Sequence, residues 1–261
     1  MTSLRAYTGK HLVAMLRGGD FAHAGGALAI EQAMAHCARE PEQRIADIGC
    51  GLGGTAAYLQ EQGWGRVVGI DIEQHAITYA KQTYPQVDFF ACDVLDVDQC
   101  LMGRQFDLFC LFNSFYAFTH QTQALQALSK LAAPQAKLII FDYTDRCYPK
   151  VNPLYRPASA QQTPFIPLQL ELLPEQLIQT HWQLQQIIEV SDHYGEWYQT
   201  LLTTLQDERS QVIAQFGEEM YRSAMTTYQA INTALQAGDL GGAIVYATLL
   251  NHPTSSGQSS R

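Results

Sequence analysis

The residues best suited to chemistry stand in a glycine-rich stretch, Ile45-Ala-Asp-Ile-Gly-Cys-Gly-Leu-Gly-Gly54, which includes a short apolar run. Gly49, Gly51 and Gly54 have no Cβ, so the backbone can turn with positive φ and approach a ligand closely. The next residues predict the start of a helix, whose first N–H groups have no partner within the helix. A strand, a glycine turn and a helix in this order are typical of a nucleotide-binding site.

The spacing Gly49-x-Gly51-x-x-Gly54 also satisfies the dinucleotide fingerprint, and Asp71 stands twenty residues after Gly51, where that fingerprint has its ribose-binding acid. A nicotinamide-dependent oxidoreductase is therefore one interpretation. Asp47 opposes it, because a carboxylate two residues before the first glycine repels a pyrophosphate and suits a ligand with a cationic amino-acid end.

Four segments in order, 46–54, 68–72, 89–94 and 106–113, resemble the motifs of the class I S-adenosylmethionine-dependent methyltransferases. The resemblance implies that S-adenosyl-L-methionine is the cofactor and S-adenosyl-L-homocysteine the product. In that family the acid at Asp71 holds the ribose hydroxyls, and the acid at Asp93 accepts a hydrogen bond from the adenine amino group. The cofactor-binding residues expected on these grounds are Asp47, Gly49, Cys50, Gly51, Asp71, Ile72, Asp93, Val94 and Asn113.

Three further features resemble the small-amine branch of the family, which includes phosphoethanolamine and sarcosine/dimethylglycine N-methyltransferases. They are the segment 24–27, the segment 52–54 and a long helical insertion before the last strand. The resemblance implies a small-molecule acceptor, most simply an amine, under a lid that includes Tyr194, Trp197 and Tyr198. The phosphoethanolamine enzymes use a tyrosine and a histidine as an acid–base pair where this chain has Phe21 and Ala117, so the resemblance does not extend to that activity.

The candidate catalytic residues are His23, Tyr116 and His120. Methyl transfer from a sulfonium is an in-line displacement with an activated donor, so alignment and exclusion of water matter most. Either histidine is a candidate for the base that an acceptor needs. Tyr116 has three aromatic neighbours, Phe21, Phe115 and Phe118. These side chains either stabilise the charge on the methyl group or pack in the core. The missing acid–base pair leaves a non-catalytic cofactor-binding protein as a third interpretation.

The elements that position these residues alternate between apolar, β-rich runs and helical stretches over 44–143. The predicted strands are 44–48, 66–70, 87–91, 106–112 and 136–143, and the predicted helices between them are 55–62, 73–83 and 121–132. Connections of this length require crossovers, so the pattern predicts an α/β fold with a doubly wound, mostly parallel sheet. The family resemblance implies seven strands, the last of them antiparallel.

The predicted organisation has five parts. Residues 1–43 form an N-terminal helical cap with a helix over 26–39, and residues 44–145 form the cofactor-binding core. A proline-rich loop or lid covers 146–172. Residues 173–250 complete the core, with strands over 183–190 and 243–250 and a lid insertion, 194–237, of two helices joined near Gly217. Residues 251–261 are predicted to be a disordered tail.

Composition narrows the class of partner. The formal net charge is -9, and the 16 Lys and Arg form no basic run, so a nucleic-acid substrate is not expected. Neither a membrane span of about 20 apolar residues nor a secretion signal is expected. The six cysteines include no C-x-x-C pair, which favours reduced, buried thiols and a cytoplasmic location. No metal site is predicted, and the oligomeric state is left open.

Overall fold

The computed structural model describes residues 4–152, 154, 156 and 164–250. A seven-stranded sheet forms the centre, in the order β3-β2-β1-β4-β5-β7-β6. All pairings among β1 to β5 are parallel, whereas β7 runs antiparallel to both β5 and β6. The strands are β1 Arg44–Ile48, β2 Arg66–Asp71, β3 Asp88–Ala91, β4 Phe106–Phe112, β5 Ala132–Asp145, β6 Trp182–Glu189 and β7 Leu240–Leu249. The predicted doubly wound sheet with an antiparallel last strand is confirmed.

Helices cover both faces of the sheet, because alternate strand residues point to opposite sides. Ile45 packs in one apolar cluster with α1 to α4 and α8 to α10, whereas Ala46 packs in the other with α5 to α7. The helices are α1 Tyr7–Arg17, α2 Gly26–Met34, α3 Gly54–Glu61, α4 Gln74–Thr83, α5 Val97–Cys100, α6 Gln121–Lys130, α7 Leu173–Gln179, α8 Ser191–Asp207, α9 Arg209–Phe216 and α10 Glu218–Ala237.

The strand order fixes where a ligand can bind. The chain winds outward in one direction from β1 to β3 and in the other direction from β4, so the crevice lies between the carboxyl ends of β1 and β4. Open α/β sheets bind their ligands at such a reversal of strand order. The glycine turn follows β1 and Asn113 follows β4, so both lie at this crevice.

Several predicted boundaries were wrong. The helix predicted over 26–39 ends at Met34, and the lid insertion has three helices, because the chain breaks at Glu208 as well as at Gly217. The strand predicted over 243–250 begins earlier, at Leu240, so Gly241 and Gly242 lie within it. Gly242 has no room for a Cβ, because the ring of Tyr194 packs directly on its backbone.

The segment after β5 crosses back toward the sheet. Leu168 pairs with Thr144 by an isolated bridge, and Phe165 pairs with Arg156. The tail predicted over 251–261 lies outside the described residues. Among the residues that the structure describes, no helix has the length and apolar character that crossing a membrane requires.

Candidate active site

The glycine turn is shaped by its neighbours as well as by its own φ angles. Gly49 and Gly51 have φ of 79° and 57°, in the left-handed region. The backbone N–H groups of Gly49 and Cys50 both donate to the carbonyl of Ile70, which fixes the turn against β2. A Cβ at Gly49 would clash with Ser114, so glycine is required there for two reasons.

The carboxylate of Asp71, at the end of β2, accepts hydrogen bonds from three protein groups. Its Oδ1 accepts from the N–H of Glu73 at 2.9 Å, and its Oδ2 accepts from the N–H of Gly51 at 2.9 Å. The Nζ of Lys10 lies 2.8 Å from the same Oδ2, and the two side chains are only 13% and 7% exposed. The helix α1 therefore covers the acid that was predicted to bind ribose.

Asp47 is the acid with the least satisfied environment. Its side chain is 1% exposed, and its Oδ2 has no hydrogen-bond partner among the described residues. The N–H of Ala56, in the first turn of α3, bonds to the carboxylate. Burial, with a smaller effect of the charge on Asp71, raises the pKa of Asp47 to about 7. A buried carboxylate oxygen without a donor is suited to a cationic ligand group.

The expected adenine side carries an unusual apolar residue. Ile72 is 71% exposed directly after the buried Asp71. Asp93 and Val94 follow the neighbouring strand β3, and Oδ1 of Asp93 accepts from the N–H of Leu95 at 3.0 Å. Asp93 therefore caps the short turn 94–96, and its predicted contact with adenine stays a prediction.

The expectation of reduced, buried thiols was wrong for two of the six cysteines. Cys92 and Cys100 form a disulfide, with Cα atoms 6.4 Å apart. The pair was missed because the two residues are eight apart and a local turn, which residue types do not reveal, brings them together. Cys37, Cys50, Cys110 and Cys147 are free.

Asn113 joins three parts of the site. It has φ of 48°, and its Oδ1 accepts from the N–H of Ala24 at 3.1 Å. Its Nδ2 donates to the hydroxyl of Tyr194, on α8, at 2.8 Å. Nδ2 also donates to Oδ1 of Asp142, at 3.4 Å. The amide is therefore fixed in orientation between the entry to α2, the strand β5 and the lid.

Asp142, on β5, lies behind Asn113 and was not predicted from the sequence. It is fully buried and accepts from the N–H of Tyr116 at 3.0 Å and from the N–H of Tyr143 at 2.7 Å. Burial raises its pKa to about 7. Asp142 therefore holds the backbone of the loop that follows β4. The sequence did contain a signal for this site residue, because an acid within an otherwise apolar strand is unusual.

Of the two candidate histidines, only His23 lies in the buried site. It is 1% exposed, its Nδ1 lies 2.9 Å from the carbonyl of Ala24, and its Nε2 lies 3.1 Å from the hydroxyl of Thr55. Only a protonated Nδ1 can donate to a carbonyl, so Nε2 accepts from Thr55. Burial lowers the pKa of His23 to about 4. His120 is exposed at the start of α6.

Tyr116 belongs to a group of aromatic side chains that we call the tyrosine cluster: Tyr116, Tyr143, Tyr194, Tyr198 and Tyr228. The rings of Tyr116 and Tyr143 are 4.9 Å apart, and the hydroxyls of Tyr143 and Tyr198 are in direct contact. Burial raises the pKa of Tyr143 well above the usual value, so its hydroxyl stays neutral. Phe115, by contrast, packs in the core on the opposite face of the sheet.

Two guanidinium groups reach the tyrosine cluster. The Cζ of Arg5 lies 4.5 Å from the ring centroid of Tyr116. The Cζ of Arg17, in the last turn of α1, lies 5.9 Å from the ring centroid of Tyr198. The Nη1 of Arg17 is buried without a hydrogen-bond partner among the described residues. The predicted lid residue Trp197 packs against Phe141 and Tyr194, so α8 does cover this part of the site.

Comparisons with known proteins agree with this architecture. Residues 45–135, which hold the glycine turn and β1 to β4, match the family described as Methyltransferase domain. An O-methyltransferase of Pyrenophora dematioidea is 25% identical over 161 residues, 59% of each chain. A protein of Invertebrate iridescent virus 6 is 36% identical over 95 residues, 33% of this chain. The matched stretches span only 35% and 59% of the length of these two relatives.

Solved structures share the whole fold. The cyclopropane synthase MmaA2 from Mycobacterium tuberculosis superposes with a TM-score of 0.80 at 16% identity, over 94% of this chain and 96% of that one. Phosphoethanolamine N-methyltransferase 2 of Haemonchus contortus superposes with a TM-score of 0.75 at 15% identity, over 97% of this chain and 61% of that one. The fold is the Rossmann-like class I methyltransferase fold.

Proposed function

We propose that this protein is an S-adenosylmethionine-dependent methyltransferase that methylates a small molecule, most simply the nitrogen of an amine. The observation that carries the proposal is the unpartnered Oδ2 of Asp47, buried beside the glycine turn at the crevice of the sheet. A buried anionic oxygen that lacks a donor is costly to the free protein, and a ligand ammonium group would satisfy it.

Other residues of the crevice fit the rest of S-adenosylmethionine. Asp71 is suited to the ribose hydroxyls, because Oδ1 accepts only one described bond, from Glu73, and a hydroxyl can replace Lys10 at Oδ2. Ile72 offers 71% of its apolar surface for an adenine ring. Structural relatives were solved with S-adenosylmethionine or S-adenosylhomocysteine bound, which supports the same cofactor here.

The cofactor, when bound, supplies a methyl group that is already activated on a sulfonium. The chain's task is then to align the acceptor and exclude water. His23 is neutral near pH 7, but it is a weak base and its Nε2 already accepts from Thr55. His23 is therefore better suited to positioning the loop 23–24 than to removing a proton. An amine that binds in its neutral form needs no residue for that step.

The tyrosine cluster is the candidate acceptor site, because Tyr143 lies on β5, the neighbour of β4. Aromatic ring faces attract a methylated or protonated amine. The free Nη1 of Arg17 supplies a counter-charge for an acidic group on the same acceptor. The Haemonchus contortus relative was solved with phosphomonomethylethanolamine, which has an amine and a phosphate, and this supports an acceptor of that kind.

A nicotinamide-dependent oxidoreductase fits less well. A pyrophosphate would lie at the first turn of α3, where backbone N–H groups bind anions. In that turn the N–H of Ala56 already interacts with the carboxylate of Asp47. Two anionic groups would then compete for one position in a buried environment.

Calorimetric titration tests the cofactor assignment. We expect S-adenosylhomocysteine to bind the wild type, and Asp47→Asn to weaken binding about tenfold or more, because a neutral amide lacks the negative charge that strengthens the hydrogen bond to an ammonium group. Asp107→Asn is the matched control, since Asp107 pairs with Arg44 at the opposite edge of the sheet. NAD binding in place of S-adenosylhomocysteine would refute the proposal. Methyl transfer to a panel of small amines separates an enzyme from a non-catalytic binding protein.

A further inference from the structure

The Cys92–Cys100 disulfide encloses the segment that the cofactor site uses for adenine. Cys92 directly follows β3, and Cys100 is the last residue of α5. Asp93 and Val94 lie between them. The N–H of Cys92 also donates to the carbonyl of Asp71, at 2.9 Å. One covalent link therefore closes a loop that starts beside the ribose acid and contains the expected adenine contacts.

This loop is held by local hydrogen bonds and by apolar packing against the core as well as by the disulfide. Asp93 accepts from Leu95 within the loop itself, and the N–H of Asp96 donates to the carbonyl of Asp93. Val97 is the residue between the two cysteines that is buried in the core. Leu95, Asp96, Asp98 and Gln99 are exposed. The disulfide adds a covalent restraint to a segment that is otherwise largely exposed.

Near the cofactor site, the pair Cys92 and Cys100 is more open to reaction with a small thiol or disulfide than Cys50 and Cys110 are. Cys100 is half-buried at the end of an exposed segment. Cys50, beside the glycine turn, and Cys110, within β4, are fully buried, and burial raises their thiol pKa well above the usual value. Thiols in that state are poor nucleophiles.

We propose that Cys92 and Cys100 form a thiol–disulfide modification site that sets the affinity for the adenosyl cofactor. The proposal rests on the proposed function, because the ligand is the cofactor of that reaction. In the oxidised protein the loop is ordered before binding, whereas in the reduced protein binding must also order it and becomes weaker.

The exchange step balances with a small disulfide such as oxidised glutathione. One cysteine thiolate attacks a sulfur of that disulfide, forms a mixed disulfide and releases one glutathione thiolate. The second cysteine thiolate then attacks the protein sulfur of the mixed disulfide and releases the second. Two protons leave the protein thiols and the two released glutathione thiolates take them up, so the protein is oxidised by two electrons and the glutathione disulfide is reduced by two.

The test compares the binding of S-adenosylhomocysteine to the full-length protein before and after reduction, by calorimetry. We expect reduction to raise Kd about threefold to tenfold, the range expected when a loop loses its order before binding. The double variant Cys92→Ser/Cys100→Ser should bind S-adenosylhomocysteine with the Kd of the reduced wild type, and that Kd should not change when reductant is added. Cys37→Ser and Cys147→Ser, at free half-buried cysteines, are the matched controls and should respond as the wild type does.

The outcomes separate the two proposals. An equal Kd for oxidised and reduced wild type would overturn the modification site and leave the cofactor assignment intact. Absence of S-adenosylhomocysteine binding in both states would overturn the proposed function and the modification site with it. Oxidised glutathione should restore the low Kd of the reduced wild type, and failure to do so would also count against a reversible site.

Discussion

The ammonium of Lys10 lies 2.8 Å from Oδ2 of Asp71, although 61 residues separate them in the chain. This ion pair pins α1 over the end of β2, where the ribose hydroxyls of the proposed cofactor would bind. Lys10 therefore occupies one of the acceptor positions that the cofactor needs. Cofactor binding must displace the lysine or share the carboxylate with it.

Removal of this lysine should tighten cofactor binding. In Lys10→Met the ribose hydroxyls no longer compete with an ammonium group, so we expect the Kd of S-adenosylhomocysteine to fall about threefold to tenfold, which corresponds to one displaced hydrogen bond to a charged group. Stopped-flow binding measures the association rate, which should rise. Lys81→Met, on the exposed face of α4, is the control. Weaker binding in Lys10→Met would show that the lysine binds the cofactor instead of blocking it.

Cofactor affinity should increase with pH through the titration of Asp47. Burial raises the pKa of this acid to about 7 in the free protein. A ligand ammonium group prefers the ionised carboxylate, so binding releases a proton, and the Kd of S-adenosylhomocysteine should fall as the pH rises toward about 7.5. Calorimetry in buffers of different ionisation enthalpy measures the released proton directly. A wild type whose affinity is as independent of pH as that of Asp47→Asn would contradict this account.

The stability of the cofactor-free protein should change with pH in the opposite sense. Burial raises the pKa of both Asp47 and Asp142 from 3.8 to about 7. The folded state then binds more protons than the unfolded state between those values, so the free energy of unfolding falls as pH rises through about 7. His23 contributes with the other sign, but only from about pH 4 to its unfolded value near 6.5.

Denaturant unfolding at about pH 6.5 and about pH 7.5 measures this dependence, because His23 is neutral in the folded protein and at most half protonated in the unfolded protein there, so its opposing contribution is the smaller one. The wild type should lose on the order of 1 kcal/mol over that interval, and Asp47→Asn should lose less. A free energy of unfolding that rises over the same interval would show that the two acids are ionised in the folded protein.

Substitution of His23 should affect binding geometry more than proton transfer. His23→Asn keeps a donor for the carbonyl of Ala24 but loses the acceptor for Thr55. We expect kcat to fall less than about tenfold, below the range usual for loss of a general base, and the pH profile to keep its shape. His120→Ala should leave kcat and the shape of the pH profile unchanged. A loss of a thousandfold or more in His23→Asn, on the order reported for groups that act in the transition state, would restore His23 as the base.

Local pattern was enough to predict the sheet and the glycine turn. The strand, turn and helix around Gly49 and Gly51 are consecutive in the chain, and side-chain periodicity reports burial directly. The carboxyl ends of neighbouring strands meet at one edge, so Asp47 and Asp71 could be expected together. Their opposite states, one unpartnered and one paired with Lys10, could not.

The parts that were missed depend on packing between distant segments. Lys10 reaches Asp71 only because α1 packs across the crevice, and the tyrosine cluster assembles from β5, α8, α10 and the loop after β4. The break at Glu208 has no glycine or proline to mark it. Gly241 and Gly242 stand just before the predicted strand 243–250, but they are strand residues, and the absence of a Cβ lets Thr144 and Tyr194 pack against their backbone.

A crystal structure with S-adenosylhomocysteine tests the central claim most directly. The account predicts that the ammonium group of the ligand lies within hydrogen-bond distance of the free Oδ2 of Asp47, with the ribose at Asp71 and the adenine against Ile72. A ligand bound elsewhere, or a ligand in this crevice with Asp47 still unpartnered, would contradict it.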